Sequence, residues 1–336
     1  MNTITKIYSR LRRKANYAFN DMRSVFGMND QLFRHRKGAR IVIYHGLCQS
    51  NHTRFNTIFL QLKTFEKHLQ FYKKYFNVVS LDDYYNQRFS KDRFTVCITF
   101  DDGFANNYKY VLPLMDKYQI PVTFFVTAIR DAGYDILWND FLCLAQKYGP
   151  YEFQFLNGHF CKDKYGRYVS KTDNKLLKDL LRKESFDEKA QMIKFLEPML
   201  SLKNKMQEED YWVQMTQDEI KILSASQLAT IGCHGYYHND LSMIPINDAK
   251  EEIMHSKQYL ENITQKAINA IAFPYGAYSP EVVTESKIAG FDKLLAMNLL
   301  FSEDYSDPTM RERLAINPFI SVNNQMIAII KGKYES

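Results

Sequence analysis

From Arg40 onward the chain alternates short, continuous apolar runs with stretches whose apolar residues recur every three or four positions. The first pattern belongs to a strand covered on both faces, the second to an amphipathic helix. Arg40–His45, Phe94–Phe100, Val122–Thr127, Ala229–Cys233, Ala270–Phe273 and Leu294–Met297 are runs of the first kind. Val78–Val79 is a shorter extended piece, after which Ser80 is placed to cap a helix through Tyr85. Helical spacing marks Phe65–Tyr75, Asn106–Tyr118 (in spite of Pro113), the region of Ala249–Leu260, and a segment opened by Ser279-Pro280 and stopped by Gly290. Strand followed by helix, repeated along the chain, predicts an α/β fold with a parallel sheet, open or closed into a barrel.

Two regions depart from this rhythm. Across residues 135–215, Leu176–Leu181 and Asp187–Leu200 read as helices, Ser201–Asp210 as a polar connection, and Thr216-Gln-Asp-Glu219 as a capping box that opens the next helix. A mostly helical insertion of about 135–215 within a single domain, 40–336, is the expectation. Residues 1–39 form an arm in which Ile4, Ile7, Leu11, Ala15, Ala18, Met22 and Val25 make one helical stripe, with Arg10, Arg12, Arg13 and Lys14 close by. Such a helix fits an anionic lipid surface. It also fits a helix packed on the domain or a partner, with its basic face in water. No internal repeat is present.

Charge sharpens the picture of the arm. The 336 residues carry a formal charge of +6, but residues 1–40 alone hold ten basic and two acidic side chains, leaving the remainder at −2. A nucleic-acid partner is therefore not implied by the net charge. With 46% hydrophobic and 24% charged residues the composition is globular, and no apolar run approaches the roughly 20 residues of a membrane span. The aromatic fraction, 15%, suits a large core and a surface for stacking sugars. Five cysteines, an odd number with no pair in a CxxC spacing, exclude a disulfide framework, and Cys97 within an apolar run reads as a core residue. No secretory signal pattern is visible, so a cytoplasmic protein is expected, with peripheral membrane contact through the arm as its one membrane option. Oligomeric state is not set by these features.

Candidate chemistry gathers at strand ends, where parallel α/β folds place their sites. Thr99-Phe100-Asp101-Asp102-Gly103 follows the Phe94–Phe100 run. Adjacent carboxylates repel, and a cation beside them relieves the cost; the alternative is a polar turn capping a helix. His234-Gly-Tyr-Tyr-His238 follows Ala229–Cys233, and two imidazoles four positions apart face one metal if the segment forms a helical turn. One carboxylate and two histidines make a ligand set for zinc or a related divalent ion, with positions left for water. Phe273-Pro274-Tyr275-Gly276 and Tyr44-His45-Gly46 also end apolar runs. Alone, each reads equally as a turn or a structural histidine.

Taken together and in this order, TFDDG, HxxxH and PYG resemble the polysaccharide deacetylase (NodB-homology) family, carbohydrate esterase family 4, over roughly residues 40–320. The resemblance implies a distorted (β/α) barrel and metal-dependent removal of acetyl groups, usually from N-acetylhexosamines of glycans. It implies Asp102, His234 and His238 as metal ligands, and Asp101 as general base. Tyr275 would offer a backbone N–H to the oxyanion and a ring to the acetyl pocket. Zinc is the default metal, with cobalt, nickel or manganese as alternatives. Three positions depart from the family pattern: Gly235 stands where Ser or Thr is usual, Ala272 where an Arg is usual, and no His follows His255 to supply the usual late acid. Some members resemble a permuted form with the acid histidine after the first strand, where this chain has His45. Arg313 is the candidate to replace the missing Arg beside Asp101. The expected partner is an acetylated carbohydrate or a lipid-linked glycan precursor. Hydrolysis of an acetyl ester or small cyclic amide on the same fold, and carbohydrate binding without turnover, are the competing readings.

Overall fold

The computed structural model describes residues 3–55, 57–201 and 209–335; most of the polar connection expected at 201–210 lies outside them. Among the described residues fourteen strands form: β1 (Ala39–Tyr44), β2 (Leu47–Cys48), β3 (Leu60–Gln61), β4 (Asn77–Val79), β5 (Thr95–Phe100), β6 (Val122–Val126), β7 (Glu152–Phe155), β8 (Gly158–Lys162), β9 (Tyr168–Ser170), β10 (Ala229–Cys233), β11 (Ala270–Ala272), β12 (Lys293–Ala296), β13 (Met310–Glu312) and β14 (Leu314–Ala315). The helices are α1 (Thr3–Val25), α2 (Asp30–Arg34), α3 (Leu62–Tyr75), α4 (Leu81–Tyr85), α5 (Leu112–Tyr118), α6 (Trp138–Tyr148), α7 (Leu177–Leu181), α8 (Phe186–Leu196), α9 (Gln217–Ala225), α10 (Ile246–Thr264), α11 (Pro280–Ile288) and α12 (Val322–Lys331).

Eight parallel strands run in the order β13-β12-β11-β10-β6-β5-β1-β14, with β4 beside the first half of β5. The curved sheet is a nearly closed, distorted (β/α) barrel. Its two edge strands are consecutive in sequence and separated only by Arg313. Met310–Glu312 bonds to β12 while Leu314–Ala315 bonds to β1, so one six-residue segment carries both edges of the barrel.

Side-chain parity then decides what enters the barrel. Val96, Ile98 and Phe100 of β5 join the large core beneath the helices, whereas Cys97 joins a small cluster inside the barrel with Ile41, Phe125, Ala272 and Leu295. Phe125 fills the lumen: a Cβ on Gly232 would lie 2.6 Å from its ring, so that position on β10 tolerates no side chain. Counting outward by two along each strand, the next inward positions are His45 after β1, Asp101 after β5, Thr127 after β6 and His234 after β10. Tyr44 and Phe100 are register partners, which sets His45 and Asp101 side by side at the same height.

Several element ends follow from local chemistry. Ser80, Thr216 and Ser279 cap their helices by accepting the backbone N–H of Asp83, Glu219 and Val282, and Thr216 completes its capping box with Glu219. The segment expected as one helix over Asn106–Tyr118 instead opens with a wide turn at Asn107–Val111. Pro113 then sits in the first turn of α5, where its missing N–H costs nothing. The segment expected as an insertion contains α7 and α8 near the two helices expected there, and a further helix, α6, that was not singled out. It also contains an antiparallel sheet, β7-β8-β9, which helical periodicity did not anticipate. A second apolar core, including Phe59, Phe104, Trp138 and Trp212, joins the insertion to the top of the barrel. All five cysteines are free.

The arm is helical, as expected, but packs in an unexpected sense. The polar face of α1 meets α12: Asn20 Nδ2 donates to Asn324 Oδ1 (3.1 Å), Ser321 Oγ donates to Asp21 Oδ1 (2.6 Å), and Asn324 Nδ2 donates to the Tyr17 carbonyl (3.1 Å). Among the described side chains, the apolar stripe from Ile7 to Val25 faces away from the domain and stays exposed. Packing of the stripe on the domain is thereby corrected: the asparagines, not the apolar residues, form the contact. No described helix is long and apolar enough to cross a membrane.

Candidate metal and catalytic site

The site sits at the C-terminal ends of the barrel strands, where Asp101, Asp102, His234, His238 and Arg313 are all buried. Asp102 is held at φ +75°, a conformation costly for a residue with a side chain. Thr127 Oγ1 secures it by donating to the Asp102 carbonyl at 3.2 Å. The following Gly103 has φ +83°, and a Cβ there would meet Val126 Cγ1 at 2.8 Å; only glycine lets this turn lie against β6.

His234 Nε2 lies 3.4 Å and His238 Nε2 3.3 Å from the same oxygen, Asp102 Oδ1. Those separations are long for hydrogen bonds. They match the edge of a tetrahedron whose centre is about 2.0–2.2 Å from each ligand, the bond lengths of a zinc site. One donor atom from each of the three residues lies within 4.8 Å of the others, so the donor set fits a divalent metal ion. His234 Nδ1 is 2.7 Å from the Ala272 carbonyl, which can only accept. The ring proton is therefore on Nδ1, and the Nε2 lone pair points into the site, the usual support for a metal-ligating imidazole.

The two histidines converge without a helical turn, which corrects the geometry expected from their spacing. Residues 234–238 form an irregular loop with Gly235 at φ +77° and His238 at φ +57°. The buried carboxylate of Glu252, on α10, holds this loop by accepting the N–H groups of Tyr236 (3.3 Å) and Tyr237 (3.1 Å) and the side-chain amide of Asn239 (2.6 Å). Lys189 of α8 bonds to Asn239 from the other side. Trp138 Nε1 donates to the His238 carbonyl at 3.1 Å, which ties the insertion to the loop.

Asp101 is gripped by Arg313 from the barrel seam. Nη1 reaches Oδ1 at 2.7 Å and Nη2 reaches Oδ2 at 2.8 Å, a two-pronged pair with both partners buried. Nη1 also reaches Thr99 Oγ1 at 3.2 Å, and the guanidinium lies over the Phe125 ring at 5.3 Å. Burial, the largest single influence, pushes the Asp101 carboxyl upward, but the Arg313 charge and hydrogen bonds together with His234 and His45 outweigh it and hold the group below the usual carboxylate range. Asp102 is also opposed by burial, and its contacts with His234 and His238 bring it well below that range. Asp101 Oδ2 stands 4.0 Å from His234 Nε2, so the Arg-held carboxylate borders the donor cluster without joining it.

The remaining expected residues gather around this centre. His45 is half-buried and lies within electrostatic reach of Asp101, Asp102 and His238. Its carbonyl accepts from Asn107 Nδ2 at 2.9 Å. The Tyr275 ring packs on His238 (centroids 4.8 Å), with backbone φ +61°. Arg182 of the insertion lies over the other part of that ring at 4.5 Å and pairs with Asp240 at 2.6 Å. All seven expected site residues thus belong to one constellation. Sequence reasoning did not single out Thr127, Trp138, Lys189 and Glu252, which hold the loops rather than offer recognisable chemistry.

Comparison with known families matches residues 89–140 and 205–294 to polysaccharide deacetylase. The match is a similarity confined to these two segments. They contain the Asp-Asp-Gly turn, the His-x-x-x-His loop and the Pro-Tyr-Gly turn, and the unmatched stretch between them is most of the insertion. Solved structures share the deacetylase-type fold at low identity. The Streptococcus pyogenes deacetylase PplD in complex with acetate superimposes with a TM-score of 0.56 at 15% identity, covering 87% of this chain and 97% of that one. A polysaccharide deacetylase from Bacillus cereus gives 0.54 at 16% identity, with 89% and 70% covered. IcaB from Ammonifex degensii gives 0.53 at 17% identity, with 88% and 99% covered. No curated protein sequence matches the chain.

Proposed function

We propose that the chain is a metal-dependent hydrolase that removes acetyl groups from N-acetylated sugars of a glycan or of a lipid-linked glycan precursor. The observation that carries this reading is the convergence of Asp102, His234 and His238 beside a carboxylate, Asp101, that Arg313 keeps ionised. Asp102, His234 and His238 would hold the ion, with zinc as the first choice and cobalt, nickel or manganese as alternatives. When bound, such an ion polarises an acetyl carbonyl and lowers the pKa of water towards about 7.

The chain's own residues supply the proton transfers. Asp101 takes the proton from water as its oxygen adds to the amide carbon. His45 gives a proton to the sugar nitrogen as the C–N bond breaks, releasing acetate and the amine. The Tyr275 backbone N–H meets the developing oxyanion, and its ring walls the acetyl pocket against His238. An acid on the first strand can replace one on the last because β1 and β14 are hydrogen-bonded neighbours, Val42 opposite Leu314. That adjacency supports the permuted arrangement. Arg182 brings a side chain of the insertion against Tyr275 at the site, and the cytoplasmic face of a membrane is the proposed setting.

The test is acetate release by purified, metal-loaded protein from N-acetylglucosamine oligosaccharides, with O-acetylated sugars in parallel. Asp101→Asn and His45→Ala should keep the metal and lose on the order of 10²–10⁴-fold in turnover. His234→Ala should lose the metal itself. Wild-type rates from His45→Ala would overturn the acid assignment. Release from the esters alone would favour the esterase reading, and glycan binding by metal-loaded protein without any release would favour a binding protein.

A further inference from the structure

Among the described residues, the outward face of α1 is left exposed. Ile7, Leu11, Phe19, Met22, Val25 and Phe26 are all more than half exposed, with Leu11 at 61% and Val25 at 82%. Soluble proteins rarely leave apolar side chains contiguous on this scale without a use for them. The helix cannot roll to bury them. Its opposite face is fastened to α12 through Tyr17, Asn20 and Asp21, and Asn29 beyond its end bonds to Asn323 Oδ1 at 3.1 Å. At 100° per residue, Arg10 and Lys14 border one edge of the apolar face, and Arg12 and Arg23 border the other. Over its length α1 carries six basic residues and one acidic residue.

We propose that α1 is an interfacial helix. It lays its apolar face into the headgroup boundary of an anionic membrane, with the flanking arginines and lysine reaching lipid phosphates. Charge selects this occupant. A second copy seated face to face would oppose one strongly positive helix with another, whereas an anionic bilayer satisfies both the apolar face and its basic borders. The inference is independent of the deacetylase reading, since it rests on no residue of the metal site. The bonds to α12 give it a further consequence: the whole barrel is held to the surface in one orientation.

The experiment is co-sedimentation of the full chain with two kinds of vesicle: phosphatidylcholine containing about one quarter phosphatidylglycerol, and phosphatidylcholine alone. Binding should require the anionic lipid and weaken as salt shortens the Debye length. Each basic residue near such a surface contributes about fivefold to partitioning, so Arg10→Gln/Arg12→Gln/Lys14→Gln should lose on the order of a hundredfold. Leu11→Gln/Met22→Gln should lose binding at unchanged net charge. Both variants change solvent-facing positions, so circular dichroism and acetate release from a soluble substrate should match the parent. Anionic-vesicle binding that neither variant weakens would overturn the proposal. So would failure to bind vesicles, whether the chain stays monomeric or self-associates in a way that Leu11→Gln/Met22→Gln abolishes; the latter would make a second copy the occupant.

Discussion

Replacing Arg313 with methionine tests the centre of the argument, because it keeps apolar bulk in the barrel while removing both prongs from Asp101. The Asp101 carboxylate would then be buried with its strongest counter-charge gone. Breaking one side of a buried pair costs about 3–5 kcal/mol. For a chain of 336 residues, the unfolding entropy averages to about 0.7 kcal/mol/K, so a 4 kcal/mol loss lowers the melting temperature by about 6 °C. The double variant Asp101→Asn/Arg313→Met removes both charges and should recover most of that loss, giving a coupling of about 3 kcal/mol in a double-mutant cycle. Urea unfolding at saturating metal measures it without differences in occupancy. The pH dependence carries the sign. In the parent the folded pKa of Asp101 is depressed, so its contribution is complete above the unfolded value near about 4 and is lost as pH falls through the folded pKa. In Arg313→Met, burial acts against the charge with the largest of the opposing contributions gone. The deficit should be largest near neutrality and shrink on acidification, as the carboxyl takes up a proton. Parallel pH curves, or a double variant as unstable as the sum of the singles, would refute the reasoning.

Two further outcomes follow from buried groups that sequence motifs did not mark. His68 is buried against Tyr44, whose hydroxyl lies 2.9 Å from Nδ1, and burial depresses its pKa to about 3. The unfolded chain, near about 6.5, binds that proton first, so stability should fall by about 1.4 kcal/mol per pH unit below about pH 6; His68→Gln should flatten the slope by one proton's worth, and an unchanged slope would refute it. Glu252→Gln leaves every metal ligand in place but weakens the brace on the 234–238 loop, so metal affinity should drop roughly 10–100-fold in a chelator competition. Unaltered affinity would mean that the loop holds its shape without the carboxylate.

Much of the site could be read from sequence because its residues lie one step beyond apolar runs. Period-two parity along TVCITF puts Thr95, Cys97 and Thr99 inward, so Asp101 must follow them into the barrel mouth; the same count delivers His45 and His234. What parity cannot reach is loop geometry. The spacing of His234 and His238 matches a helical turn, but two left-handed backbone conformations and the Glu252 brace make a different loop with the same convergence. The β7–β8 hairpin escaped a search for helical periodicity, although the Asn157-Gly158 pair after an alternating Glu-Phe-Gln-Phe run is a hairpin signal. Trp138 and Lys189 carried no signal at all, since an apolar or long side chain becomes a brace only when the fold brings a loop to it.

Arg313 shows how fold and chemistry are joined in this chain. The arginine expected before the Pro-Tyr-Gly turn is absent, and Ala272 in its place packs inside the barrel. The replacement comes from the residue between β13 and β14, the one point where the sheet passes from one edge to the other. Its side chain can meet Asp101 only if Leu314–Ala315 pairs with β1 while Met310–Glu312 pairs with β12. Closure of the barrel is therefore a condition for keeping Asp101 ionised, the state its proposed role as base requires. A lesion that frees β14 from β1, far from any metal ligand, should raise the Asp101 pKa as Arg313→Met does. An acid limb of the rate profile that moved upward in both variants would identify barrel closure as part of the catalytic machinery.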